Sequence, residues 1–284
     1  MPFVALKIFR FRLFKTRSVM TTDTRPTRPR KRKNTGWVPD QHGAWAMVIT
    51  PYVLGVALAH PVWAHLPLGV AWLSGYFAFF AAGLWLKAPP RRRGTYVRPL
   101  TIYGAVAVLG CCGVLAMTHS SIAQLLVAGA CFVPLVAVAV YEAYRKRPRS
   151  VLSGVATTIA SAGVLPVCLL VADKPVLWGP TIILGLYFSS TIFYVKTLIR
   201  NRGQRQWLNY SIAVHLGCAA IALWLTLTGV VHWSAIVFFL AATVRAWWMP
   251  VSGELRPKPW TPKQVGIQEI AWIIAASAVA VFSA

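Results

Sequence analysis

The feature that most constrains this chain is a series of apolar runs, each about as long as a lipid bilayer is thick. The hydrocarbon core of a bilayer is about 30 Å deep, and a helix needs about 20 residues to cross it. Runs near that length occur at residues 44–63, 67–87, 99–118, 121–144, 151–171, 176–198, 207–231, 233–249 and 265–284. Proline, glycine and polar residues fill most of the short gaps, as is typical of helix ends. The sequence therefore predicts an all-α, polytopic membrane bundle of about nine transmembrane helices.

The amino-acid composition also indicates a membrane protein. The chain is 57% hydrophobic and 12% charged, which is too apolar for a water-soluble domain of 284 residues. A net charge of +23 suits a nucleic-acid-binding protein only if the charges lie on a soluble surface, and here they occupy short gaps between apolar runs. We therefore expect no nucleic-acid partner, and membrane lipids are the expected neighbours.

The distribution of Lys and Arg predicts the orientation. All but one of the 29 lie in the N-terminal tail, near the ends of the even-numbered runs or in the gaps that follow those runs, and the exception is Lys174. Basic residues concentrate in the cytoplasmic loops of membrane proteins. The pattern therefore predicts a protein of the cytoplasmic membrane with its N-terminus in the cytoplasm and its C-terminus outside.

The sequence divides into two regions of different composition. Residues 1–40 mix basic and aromatic side chains and then become polar and rich in proline, so they are predicted to be a disordered basic cytoplasmic tail. No uninterrupted apolar stretch or small-residue cleavage site is present in the tail, and we expect no cleaved secretion signal. Met1 and Met20 both remain candidate start residues. Residues 41–284 are predicted to form the transmembrane helical domain.

Ionisable and aromatic side chains near the membrane are the first candidates for function, because charge is costly at that depth. His42 and Trp45 lie close to one helical face at the start of the first run and are candidates for ligand binding. The alternative is that His42 is solvated and that Trp45 lies at the membrane interface as many Trp residues do. The fourth run ends with a set of residues that are predicted to form a polar group at the membrane surface, namely Tyr141, Glu142, Tyr144 and Arg145.

Spacing along the helices suggests which of these charges meet. Glu142 and Lys146 are four residues apart, which is the spacing of an ordinary helical salt bridge. Lys196 and Arg200 have the same spacing and are predicted to project from one face. Because two cations on one face repel, they either reach separately to lipid headgroups or are held together by a bound anion. Glu269 is a candidate counter-ion or proton-handling group.

The sequence offers little for metal chemistry. Asp is limited to Asp23, Asp40 and Asp173, and there is no H-E-x-x-H, Walker or G-x-S-x-G motif. The low number of carboxylates argues against a carboxylate-held metal site, and no cofactor is expected. His215, in the seventh run, is expected to be a hydrogen-bonded packing residue.

Two sequence elements resemble a known family. The segment WVPDQHGAW, followed by AMVITPYVLG, and the later segment YVKTLIRNRG are similar to those of the YwiC-like family of bacterial membrane proteins. The resemblance covers residues 37–284. It implies a location in the bacterial inner membrane, but no particular activity, since no biochemical function is established for that family.

The layout also resembles the UbiA superfamily of membrane prenyltransferases, which has nine helices, the same orientation, and cytoplasmic motifs after the second and sixth helices. In that superfamily aspartates in these motifs hold Mg²⁺ on a prenyl diphosphate. Here the two regions read LWLKAPPRRRGTYVRPL and FYVKTLIRNRGQR, and Lys196 and Arg200 stand at aspartate places. Because Mg²⁺ needs oxygen ligands and is repelled by cations, we do not expect Mg²⁺-dependent prenyltransferase activity.

The leading hypothesis is that a basic cavity on the cytoplasmic side binds an anionic ligand without Mg²⁺. The ligand would be a phosphate, or a phosphate-bearing isoprenoid or phospholipid, gripped by Arg and Lys. Alternatives are a metal-independent UbiA-like transferase, an anion transporter and a scaffold for a membrane complex; catalysis and oligomeric state stay open. The predicted ligand-binding residues are His42, Trp45, Lys87, Arg91, Arg92, Arg98, Tyr141, Arg145, Tyr194, Lys196, Arg200 and Glu269.

Overall fold

The computed structural model describes residues 34–40, 42–118 and 120–284, except for the side chain of His42. The tail predicted for residues 1–33 lies outside this part of the chain. Within it there are helices and no strands. The helices are α1 (His42–Ala59), α2 (His65–Lys87), α3 (Pro90–Met117), α4 (Ile122–Tyr144), α5 (Val151–Ala162), α6 (Val164–Val171), α7 (Trp178–Val195), α8 (Arg205–Leu227), α9 (Ser234–Glu254) and α10 (Pro262–Phe282), with a π-helical turn at Lys196–Arg200 after α7.

The helices confirm the prediction of an all-α membrane protein. Among the described residues, eight helical segments are long and apolar enough to cross a bilayer. Two of them combine neighbouring elements: α5 with α6, and α7 with the π-helical turn. α1 is shorter, at 18 residues, and spans about 27 Å at 1.5 Å per residue. The chain is therefore a multi-pass membrane protein.

Several helix boundaries differ from the apolar runs. α3 begins at Pro90 rather than at residue 99, because proline is favoured at the first helical position and the helix extends beyond its apolar part. The fifth run is divided at Gly163, three residues before Pro166, whose ring removes one helical hydrogen bond. α9 continues through Pro250 to its end at Glu254.

The bundle is organised around α7, with apolar side chains on its outside. α7 packs against α1, α5, α6, α8, α9 and α10, and its Leu184, Tyr187 and Phe188 are fully buried. In contrast, α3 and α4 expose large aliphatic side chains such as Leu109 and Val133. An exposed apolar surface of this kind suits contact with lipid chains rather than with water.

Specific contacts fix α1, α2 and α6 to one another. The Nδ1 atom of His65 accepts from the backbone N–H of Val62 at 3.0 Å, so Nε2 carries the hydrogen and donates to the Cys168 carbonyl at 2.9 Å. The hydroxyl of Tyr52 donates to the His65 carbonyl at 2.6 Å. Gly55 allows α1 to approach α6 closely, since a Cβ atom there would lie 2.8 Å from Cβ of Cys168.

Residues 34–40, which the sequence analysis assigned to the tail, lie against α3. The hydroxyl of Tyr103 donates to the Trp37 carbonyl at 2.9 Å, and the two rings meet edge-on at 5.8 Å. Gly36 has a φ of +90°, and a Cβ atom there would lie 3.0 Å from the Tyr96 ring. Only glycine adopts that backbone conformation readily. The remainder of the two-region division stays a prediction.

The connections between helices meet at two ends of the bundle. At one end, called here the basic end, the charge of Arg149 after α4 acts on Lys87 of α2 and on Arg200 after α7. The loops after α7 and α9 also join there, because Arg202 donates to the Trp260 carbonyl at 2.9 Å. All four connections predicted to be rich in Lys and Arg therefore lie at one end.

The opposite end carries Asp173, in the connection between α6 and α7. Its carboxylate accepts hydrogen bonds from the hydroxyls of Ser120 and Ser121, the second at 2.7 Å. These bonds hold the pKa of the Asp173 carboxyl below its usual value, because they stabilise its charged form. The same connection contains Lys174, the basic residue that the sequence places apart from all others.

Candidate functional site

Four cations from three connections form one group at the basic end. Lys87 ends α2, Arg149 follows α4, and Lys196 and Arg200 belong to the π-helical turn after α7; these four are called the cationic group. Each lies close enough for its charge to act on another member of the group. One carboxylate, Asp40, acts on Lys87. Among the described residues, the group therefore carries an excess of positive charge.

Two of these cations lie on the π-helical turn. Lys196 and Arg200 were predicted to lie on an α-helix, whereas the structure has a wider turn, which closes with the N–H of Asn201 donating to the Lys196 carbonyl at 2.9 Å. Lys196 lies over the Trp207 ring, with Nζ 5.3 Å from the ring centroid, whereas Arg200 is exposed. The hydroxyl of Thr197 donates to the Trp207 carbonyl and fixes the turn to α8. Such turns occur often at functional sites.

A second charged group lies inside the bundle. Arg245 of α9 donates from Nη1 to Oε1 of Glu269 on α10 at 2.8 Å, and the exposed fractions of these side chains are 6% and 12%. The other oxygen of Glu269 accepts from the hydroxyl of Tyr187 at 2.7 Å. Arg245 and Glu269 are called the intramembrane pair. A buried ion pair is costly to form, so it is more informative about function than a surface pair.

Aromatic rings and buried polar atoms surround the intramembrane pair. The Cζ atom of Arg245 lies 4.1 Å from the Tyr194 ring centroid and 4.4 Å from that of Trp272. Nε and Nη2 of Arg245 are buried and have no hydrogen-bond partner among the described residues, and the same holds for the Tyr194 hydroxyl. Buried polar groups are nearly always satisfied by protein, water or a ligand.

Among the predicted residues of α1 and α3, the side chains that the structure describes are not part of either group. His42 begins α1, but its side chain lies outside the described residues. Trp45 packs edge-on against Phe77 at 5.4 Å. On α3, Arg91 and Arg98 are exposed, and Arg92 donates to the Tyr96 hydroxyl at 3.2 Å. Arg92 thereby contributes to the surface that holds residues 34–40.

Of the predicted residues at the end of α4, Tyr141 and Arg145 lie on a separate exposed surface, whereas Glu142 is buried. Tyr141 is exposed, and Arg145 lies over its ring at 6.0 Å. The predicted salt bridge between Glu142 and Lys146 is wrong, because α4 ends at Tyr144 and Lys146 has a φ of +59°. Glu142 pairs instead with Arg147, at 3.1 Å.

The structure thus brings the predicted residues together in two places. Lys87, Lys196 and Arg200 meet at the basic end, and Tyr194 and Glu269 meet around Arg245. Cations with so few carboxylates nearby can bind anions, and Arg can do so through paired hydrogen bonds. Within the described residues, no three His, Cys, Asp or Glu side chains are arranged to hold a metal ion.

Comparison with known proteins identifies the family. A family model described as "YwiC-like protein" matches residues 38–169. "Uncharacterized protein YwiC" of Bacillus subtilis (strain 168) is 31% identical over 237 residues, which are 82% of this chain and 92% of that protein. The chain belongs to the YwiC-like family. An "Uncharacterized protein" of Haemophilus influenzae is 30% identical over 188 residues, which are 65% of this chain and 76% of that protein.

The comparison confirms one of the two resemblances, the one to the YwiC-like family. No solved structure matches the chain. The UbiA-like layout therefore stays a prediction. The YwiC-like match at residues 38–169 includes Lys87 and Arg149 of the cationic group. Lys196 and Glu269 lie beyond that match.

Sequence reasoning missed two residues of these two groups. Arg149 and Arg245 were counted only as loop charges. Arg245 could have been found, because it lies within the eighth apolar run, where a cation is rare. Arg149 could not, since its neighbours Lys87 and Arg200 are remote in sequence.

Proposed function

We propose that this YwiC-like protein binds a phosphate-bearing anion at its basic end, through the cationic group and without Mg²⁺. The observation that carries the proposal is the convergence of Lys87, Arg149, Lys196 and Arg200, with only Asp40 acting against them among the described residues. Four cations held together repel one another. A bound anion would relieve that repulsion.

The chemistry of the side chains favours a phosphate or diphosphate. Arg149 and Arg200 are exposed and carry planar guanidinium groups that can form two parallel hydrogen bonds to phosphate oxygens. Lys196 adds a more mobile point charge at the edge of the same group. Mg²⁺ would be repelled by these cations, so the positive charge on the protein would take over the role of the metal in neutralising phosphate.

The position of the group favours a ligand with an apolar tail. Lys196 and Arg200 end a helical segment that is apolar enough to cross a bilayer, so they would lie at the depth of the lipid headgroups. Isoprenoid phosphates and phospholipids combine such a headgroup with apolar chains. We therefore infer that the ligand is a membrane-borne phosphate compound of one of these two kinds.

The proposed location follows from the same charges. Because basic connections are retained in the cytoplasm, the basic end would face that side of the bacterial inner membrane. The N-terminus would then be cytoplasmic and the C-terminus extracytoplasmic. In this arrangement the site would meet anionic lipids of the inner leaflet and phosphorylated intermediates made in the cytoplasm.

Mass spectrometry of retained lipids tests the proposal. The protein is extracted in a mild detergent, and the bound lipids are compared with those of the whole membrane. We expect a phosphate-bearing species to be enriched on the wild type and at least tenfold depleted on Lys196→Gln/Arg200→Gln.

A charge-matched variant provides the control. Lys258→Gln/Lys263→Gln also removes two exposed cations, one in the connection between α9 and α10 and one in the first turn of α10, and should retain the lipid. Equal retention by both double variants would show only non-specific attraction to anionic lipid. The proposal would also fail if no phosphate species were enriched on the wild type.

A further inference from the structure

An unused hydrogen-bonding edge lies inside the bundle at Arg245. Nη1 of its guanidinium donates a hydrogen bond to Glu269, whereas Nε and Nη2 are buried without a hydrogen-bond partner among the described residues. Nε and Nη2 form one edge of the guanidinium plane, and that edge is a fork that can hold the two oxygens of an oxyanion. Within the described part of the chain, Arg245 thus has one nitrogen in an ion pair and one buried edge without a hydrogen-bond partner.

Further unsatisfied groups lie around the same guanidinium. The Tyr194 hydroxyl is buried without a partner, and its ring contacts Arg245. His215 has Nδ1 2.7 Å from the Ser211 carbonyl. A carbonyl oxygen only accepts, so Nδ1 carries the hydrogen, and Nε2 is an acceptor without a partner in the described chain. The charge of Arg245 acts on both Tyr194 and His215.

We propose that Arg245 binds a small oxyanion of the carboxylate type and that one proton enters the site with it. The site is neutral before binding, because Glu269 balances Arg245. A second negative charge among packed apolar helices would be costly, and two carboxylates on one cation favour sharing a proton. Uptake of one proton keeps the site neutral, and no covalent bond forms or breaks.

The groups that face Glu269 can accommodate that proton. It can reside on Glu269, on the anion, or on Nε2 of His215, which has no hydrogen of its own. α10 packs against α1, α7 and α9. The only titratable residues of α1 are His42, whose side chain is not described, and Tyr52, which is bonded to α2. The charged and titratable groups that contact Glu269 or feel its charge are therefore Tyr187, Tyr194 and Arg245. His215, on α8, feels the charge of Arg245.

Formate is a suitable probe because it is a small planar carboxylate that stays ionised between about pH 5 and about pH 8. Its binding to the purified full chain is measured by isothermal titration calorimetry across that range, in two buffers with different ionisation enthalpies. We expect uptake of about one proton per formate. The affinity should then rise about tenfold for each unit by which the pH falls.

Variants separate this site from the cationic group. Glu269→Gln should bind formate without net proton uptake and with little pH dependence, since the anion then replaces the missing charge. Tyr194→Phe removes only a hydroxyl and should weaken binding several-fold. Lys196→Gln should behave as wild type, because the inference does not rest on the proposed function.

Three results would overturn the inference. They are the absence of formate binding to the wild type, affinity that does not change with pH, and unchanged binding by Arg245→Gln. If Arg245→Gln fails to fold, Tyr194→Phe and Glu269→Gln still decide the matter. If Tyr194→Phe bound formate with wild-type affinity and Glu269→Gln took up a proton as the wild type does, any bound formate would lie elsewhere in the protein.

Discussion

Replacing Glu269 by Gln should destabilise the protein strongly, because it leaves a cation buried without its counter-ion. The side chain of Arg245 is only 6% exposed and lies 2.8 Å from the carboxylate, so the pair belongs with buried rather than surface ion pairs. Breaking a buried pair costs about 3 to 5 kcal/mol, against about 0 to 1 kcal/mol at a surface. Arg245 cannot escape this cost by losing its proton. Since the amide of Gln still accepts a hydrogen bond, we expect about 3 kcal/mol.

A double variant separates loss of charge balance from loss of packing. In Arg245→Met/Glu269→Gln both charges are absent, and apolar replacement of a whole buried pair is often nearly neutral. The double variant should therefore be more stable than Glu269→Gln, although it carries one more substitution. The coupling energy between the two positions should exceed about 1 kcal/mol.

Thermal unfolding of the purified protein in a single detergent measures these differences. For a domain of this size, about 1 kcal/mol corresponds to about 2 to 4 °C in Tm. Glu269→Gln should therefore unfold about 6 to 12 °C below the wild type, with the double variant between them. A single variant within about 2 °C of wild type, or a double variant less stable than the single, would refute the reasoning.

Three further predictions concern packing, pH and orientation. Gly110→Ala should cost about 1 to 3 kcal/mol in thermal unfolding, because its Cβ atom would lie 2.8 Å from the Ala71 backbone nitrogen; Gly104→Ala, in the same helix with no atom within 4 Å, is the control and should not destabilise. The lowered pKa of Asp173 contributes stability above the ordinary carboxyl pKa of 3.8, which is lost as pH falls through the lower folded-state value. Melts of Asp173→Asn should show a smaller loss on acidification than wild type, and an equal loss would contradict the assignment. A membrane-impermeant maleimide added to intact cells should label Lys174→Cys but not Arg91→Cys, and the reverse result would overturn the orientation.

The fold could be predicted from sequence because bilayer thickness imposes one length on every crossing. The runs 67–87 and 121–144 agree with α2 and α4 to within two residues, since each ends in polar or charged positions. The beginning of α3 could not be predicted in this way. The first turns of α3 are basic and precede the apolar run that begins at residue 99. Hydropathy therefore does not identify them as part of a helix.

The candidate site could be predicted only in part, for a physical reason. Lys196 and Arg200 were found because sequence alone shows two cations at the end of an apolar run. The π-helical turn on which they lie is held by contacts with Trp207 of α8, which no local pattern encodes. The intramembrane pair likewise depends on how α9 packs beside α10, so Glu269 was noticed while its partner Arg245 was not.

Titration with inorganic diphosphate tests the central claim most directly. The protein is placed in nanodiscs of zwitterionic lipid with a chelator present, and binding is measured by calorimetry at low and moderate salt. The account predicts Mg²⁺-independent binding that weakens as salt rises and is at least tenfold weaker in Lys196→Gln/Arg200→Gln than in Lys258→Gln/Lys263→Gln. No binding without Mg²⁺, or equal affinity in the two variants, would contradict it.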